Sequence, residues 1–161
     1  MGFSVKNIGL FDFPNPVNEM AARLVAGMVA ILAASIIIWD SSLLLVFLAY
    51  GFLARVLTGP KLSPMGLLAT KVIIPVLGNP NRPVPGPPKR FAQTIGLVIS
   101  GTALVFSVFL DFHALATALL GVLLGFAVLE SVFGFCAGCY IFGYLMKWGL
   151  IPEEICQKCQ L

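Results

Sequence analysis

Polar positions in this chain are bunched, and between the bunches lie four apolar runs, at residues 21–39, 41–57, 91–110 and 113–133. A helix rises ~1.5 Å per residue, so roughly 20 apolar residues cross a hydrocarbon core ~30 Å thick. Each run therefore predicts a membrane-spanning helix, the second of them short. Only Trp39-Asp40-Ser41 separates the first two runs, and only Asp111-Phe112-His113 the last two. Breaks this tight predict two antiparallel hairpins, and two hairpins predict a four-helix bundle. The expected fold is all-α: a polytopic membrane protein of one domain over residues 1–161, with short interfacial helical segments. The first run is too long for a signal-peptide core and has no convincing small-residue cleavage site after it, so it is expected to be retained.

The central connection divides in two. Residues 63–78 are apolar but short, carry Lys71 and are interrupted by Pro75, which predicts an interfacial or re-entrant segment. Residues 79–91 contain five prolines and are expected to form neither helix nor paired strand, but a stiff extended lead into the third span. From His113 the chain stays apolar to Leu150, far longer than one span requires. Gly134 is the expected stop, followed by a second interfacial segment at 136–149 and a tail at 152–161.

Composition agrees with this picture. Of the 161 residues, 59% are hydrophobic and 11% charged, against about 25% charged in soluble domains. The mean hydropathy is +0.99. A net charge of +3 is too small to argue for nucleic acid. The placement of the basic residues says more. Arg55, Lys61, Lys71, Arg82, Lys89 and Arg90 lie in or beside the central connection, Lys6 and Arg23 near the start, and Lys147 and Lys158 near the end. The two tight turns have none, which predicts both termini and the central connection on the cytoplasmic side.

Candidate chemistry centres on "ESVFGFCAGCYIFGY", residues 130–144. If the segment after Gly134 is helical, Cys136 lies near its start, where the helix dipole favours thiolate. Cys139 shares its face, and Ala137 and Gly138 leave room for an approaching sulfur. Thiol–disulfide exchange or sulfur relay is the reading chosen, with Cys136 attacking and Cys139 resolving. Electrons would pass to or from a quinone, or to an auxiliary dithiol, Cys156 and Cys159, in a tail whose length suits a shuttle. Two alternatives stay open. Cys136, Cys139, Cys156 and Cys159 could hold or hand on a soft metal, Cu, Zn or Hg, or the cysteines are small hydrophobes of a structural subunit.

Glu130 is ionisable inside a span and so needs a reason. It is read as the ion-pair partner of Arg55, or as proton acceptor for the thiol. Glu19 and Arg23, four apart, are read as a helix-end pair. Lys89 and Arg90 are expected at the lipid headgroups or against a partner. His113 lies far from the cysteines. Gly121 and Gly125 make a small-residue face that packs helices within the chain or between copies in a homo-oligomer. No serine–histidine–acid set, Walker loop or dinucleotide fingerprint occurs.

At "NPVNEMAARLVAG" (15–27), "GPPKRFAQTIG" (86–96) and "LESVFGFCAGCYIFG" (129–143) the chain resembles a bacterial membrane family catalogued as domain of unknown function 4395. The resemblance covers most of residues 14–150 and rests chiefly on Pro88-Lys89-Arg90-Phe91 and Cys136-x-Gly138-Cys139. It implies a four-helix protein of the bacterial cytoplasmic membrane. Some members are encoded near, or fused to, thioredoxin-like or rhodanese-like domains, which implies a cytoplasmic partner with thiol or sulfane-sulfur chemistry. The tail pair falls outside the resemblance, and no reaction comes with it.

Overall fold

The computed structural model describes residues 13–152 and Glu154. The tail cysteines, Cys156 and Cys159, lie outside the described residues.

Four helical runs are long and apolar enough to cross a membrane: Glu19–Trp39, Ser42–Val76, Gly86–Val108 and His113–Phe133. In each, the buried positions form one narrow stripe at three-to-four spacing. Helix α1 (Glu19–Trp39) buries Val25, Val29, Ala33 and Ile36. Helix α2 (Ser42–Thr58) buries Leu45, Leu48, Phe52 and Arg55. The other faces are not polar. Ile31, Ile38, Leu43, Val98 and Val122 all stand at least half exposed, as expected of helices whose outer solvent is lipid.

The second run is not continuous. After α2 a 3₁₀ turn at Gly59–Lys61 redirects the chain. A helical stretch follows, made of α3 (Pro64–Leu67), a π turn (Leu68–Ile73) and α4 (Ile74–Val76). Ser63 caps it by accepting from the Gly66 N–H at 3.3 Å. The π turn has a local cause. Pro75 has no N–H to give the carbonyl four residues back, and the Ile74 N–H reaches Ala69 instead. This stretch packs on α1.

The proline-rich connection differs from expectation in two ways. Val17–Asn18 (β1) pairs antiparallel with Pro83–Val84 (β2), so the extended lead is a paired strand after all. Two-residue strands at a sheet edge tolerate proline because the missing N–H faces outward. Helix α5 then begins at Gly86, not Phe91, and runs to Val108. Pro87 and Pro88 fall in its first turn, where the N–H groups lack helical partners and a fixed φ helps. Asn18 ties the strand pair to α1, accepting from the Met20 N–H at 3.0 Å and donating to the Pro80 carbonyl at 2.9 Å.

Helix α6 (His113–Val128) continues through a π turn at Leu129–Phe133 and stops at Gly134, whose φ of +69° is left-handed. Helix α7 (Ala137–Lys147) follows. Helix α1 packs on α6 and α2, while α5 packs on α2, α6 and α7. Close approach depends on glycine at two points. A methyl at Gly96 would overlap the Phe52 ring, and one at Gly138 would stand 2.5 Å from the Ala92 Cβ. At the opposite end, His113 bridges the two tight turns, with Nδ1 3.2 Å from Asp40 and Nε2 3.1 Å from Asp111.

Candidate functional site

Gly134 frees the chain to turn, and Cys136 takes extended geometry (φ −94°, ψ 99°) as the N-cap of α7. A cap side chain normally offers oxygen to the third N–H of its helix. Here the acceptor is sulfur, and the Cys139 N–H donates to Cys136 Sγ at 3.2 Å. The two Sγ atoms are in disulfide contact across a Cα–Cα distance of 5.2 Å, inside the normal range for such a bond. Both cysteines are half-buried. The Phe91 and Phe142 rings meet at a centroid distance of 5.6 Å, tilted by 58°, where α7 rests on α5.

The turn before α7 is braced from α1. Arg23 donates from Nε to the Ser131 carbonyl at 3.2 Å and from Nη2 to the Val132 carbonyl at 2.8 Å. These are carbonyls that the ending helix leaves without partners. Arg23 is thus a cap for another helix rather than the partner of Glu19.

Beside Cys136 lies a cavity of about 80 Å³, to which Phe52, Arg55, Gln93, Glu130 and Gly138 also contribute. Its apolar wall comes from α1, α5 and α6, its charged groups from α2 and the π turn. Arg55 and Gln93 also line a second cavity of about 150 Å³, together with Lys89 and Thr70.

The ion pair expected between Glu130 and Arg55 is formed by Lys89 instead. Lys89 Nζ donates to Glu130 Oε1 at 2.6 Å, and both side chains are largely buried. The physical reason is the early start of α5, which puts Lys89 in its first turn, turned inward. For the same reason Lys89 is not at the headgroups. Arg90, the next residue, is exposed and donates to the Val56 carbonyl at 3.0 Å. Arg55 is held by other groups. Its Nε donates to Gln93 Oε1 at 2.8 Å, its Nη1 to Ser63 Oγ at 3.3 Å, and its guanidinium lies 4.5 Å from the Phe52 ring centroid.

Sequence reasoning placed Cys136, Cys139 and Glu130 in one region, and the cavity brings Cys136 and Glu130 together. It missed Gln93, Ser63 and the inward Lys89. Pro87 and Pro88 were the available signal for Lys89, since proline pairs open helices as readily as they prevent them. Among the described residues, no group of three or more His, Cys, Asp or Glu could hold a metal ion. The four-cysteine arrangement requires Cys156 and Cys159, outside the described residues.

A family model described as "Domain of unknown function (DUF4395)" matches residues 17–147. No curated protein and no solved structure matches the chain.

Proposed function

We infer, for a chain that belongs to the DUF4395 family and so inherits no defined activity, that it is a membrane thiol–disulfide exchange or sulfur-relay protein acting through Cys136 and Cys139. One observation carries the reading. The Cys136 sulfur caps α7 and accepts the Cys139 N–H, so the backbone that begins the helix stabilises negative charge on that sulfur. A Cys136 thiolate attacks a partner disulfide, and the partner's second sulfur leaves as thiolate. Cys139 then attacks the mixed disulfide, frees the partner's other thiol, and leaves the Cys136–Cys139 bond. Two electrons have passed to the partner. A thioredoxin-like or rhodanese-like cytoplasmic protein suits this exchange, and a quinone or the tail pair Cys156/Cys159 would serve as the other redox partner. Cytosolic thiols are kept reduced, so the bond belongs to a transient state of a cycle.

The proposed topology is two antiparallel hairpins in a four-helix bundle of the bacterial cytoplasmic membrane, both termini cytoplasmic. The His113 bridge between the two tight turns supports a common end for them, and neither turn carries Lys or Arg. Near the other end, exposed Tyr140, Tyr144 and Trp148 form a ladder along α7 with ring centroids 4.9 and 6.4 Å apart. Such a row suits a headgroup layer and supports a position for the cysteines at a membrane edge, the cytoplasmic one in the proposed topology.

The test is an alkylation mass-shift titration in native membranes across a glutathione redox series. Reversible closure of one bond near roughly −220 to −320 mV, lost in Cys136→Ser and in Cys139→Ser, is the expected result. Thiols that stay reduced at every poise would overturn the reading. If they also resist alkylation until a chelator is added, the soft-metal alternative takes its place.

A further inference from the structure

The buried site carries one cation too many. Arg55 and Lys89 are 4% and 7% exposed, and Glu130, which lines the cavity, is already held by Lys89 at 2.6 Å. Two of the Arg55 nitrogens donate to Gln93 and Ser63, but Nη2 is buried with no hydrogen-bond partner among the described residues. An unpaired donor on a charged group is among the costliest things a protein can bury. Guanidinium keeps its proton, so the deficit is not relieved by titration. Arg55 lines the same cavity as Cys136. The volume of about 80 Å³ is several times the ~10–15 Å³ that one water requires, enough for a small anion.

Resting on the thiol-exchange reading, we propose that this cavity is a binding site for a small sulfur oxoanion, held by the Arg55 guanidinium, and that the anion's sulfur is the reaction partner of the Cys136–Cys139 pair. The oxoanion follows from the guanidinium, which presents N–H groups in the planar fork that oxygen anions fit. The sulfur follows from the cysteine on the same wall. With sulfite the step closes on itself. The sulfite lone pair forms a bond to Cys136 Sγ, the Cys136–Cys139 bond breaks, and its electron pair leaves on Cys139 as thiolate. One S–S bond is made and one is broken, and no outside oxidant or reductant takes part.

The experiment compares cleavage of the oxidised pair by sulfite and by dithiothreitol, whose attacking thiolate carries no oxoanion group, using full-length protein in a non-ionic detergent free of anionic lipid. Alkylation mass shift reads out both rates. Sulfite cleavage saturates with concentration and is slowed competitively by inorganic sulfate, whereas dithiothreitol cleavage ignores sulfate. Arg55→Gln slows the sulfite reaction about tenfold or more relative to dithiothreitol cleavage of the same variant, as loss of a charge-assisted hydrogen bond does. Arg55→Lys, which keeps the charge but not the fork, falls between. Sulfite cleavage that rises linearly and is indifferent to sulfate would overturn the anion site. The sulfate arm uses the unaltered protein, so its result does not depend on Arg55→Gln folding. Failure of the protein to form any Cys136–Cys139 bond to cleave would instead overturn the thiol-exchange reading beneath it.

Discussion

Lys89→Met is expected to destabilise the protein by about 3–5 kcal/mol, the usual result of removing one partner of a buried ion pair. The Lys89 ammonium donates to Glu130, and Glu130 is 17% exposed on the side chain. With Lys89 gone, the carboxylate loses the hydrogen bond and the adjacent charge that hold it, and only Arg55, on the same cavity, is left to compensate it. The double variant Lys89→Met, Glu130→Met should recover most of the loss, because a matched apolar pair leaves no charge behind. Thermal unfolding in detergent, followed by circular dichroism, measures both. A single variant as stable as the parent would mean that Glu130 reaches water without Lys89. A double variant no better than the single would show that the pair's contribution lies in packing rather than charge.

Gly138→Ala should loosen α7 from α5 and speed modification of both cysteines. The added methyl would stand 2.5 Å from the Ala92 Cβ and 2.6 Å from its Cα, against the ~3.5–4.0 Å of ordinary carbon contact. No rotamer change can relieve a Cβ, so the backbones separate by about 1 Å. Overpacking of this kind costs roughly 1–3 kcal/mol. Alanine's better helix propensity, up to ~1 kcal/mol over glycine, offsets only part of it. The tilted Phe91–Phe142 ring contact belongs to the same interface and weakens with it. Maleimide labelling rates of the reduced protein check this. Faster labelling is expected, with partial return on adding Ala92→Gly, which removes one of the two clashing atoms. Unchanged rates would show that α7 is not seated on α5 through Gly138.

How much of this could be read from the chain depends on the kind of signal. The four apolar helices were legible because length and hydropathy are local quantities, and so was the stop at Gly134, where a residue without Cβ enters left-handed backbone. Cysteines three apart at a helix start also announce themselves. The partner of Glu130 was not legible. With the third span expected to begin at Phe91, Lys89 fell in the extended lead before it and only Arg55 stood at the depth of Glu130, whereas α5 begins at Gly86 and turns Lys89 inward. The strand pair β1–β2 joins residues more than sixty apart and leaves no periodic trace. The close approach at Gly138 is a property of two helices together, and neither sequence segment contains it alone.

The short strand pair has a topological consequence. With Glu19 N–H on the Arg82 carbonyl at 2.9 Å and Gly86 N–H on Asn15 Oδ1 at 3.2 Å, the chain returns at residue 83 to the place it left at residue 18. Helices α1 to α4 therefore form a closed loop, and α5 is fastened at the loop's knot rather than at its far end. A break in the exposed bend at Gly78–Asn79 would open the loop without unfastening α5. The molecule is in this sense stitched twice, and its two halves are separable in sequence without being separable in space.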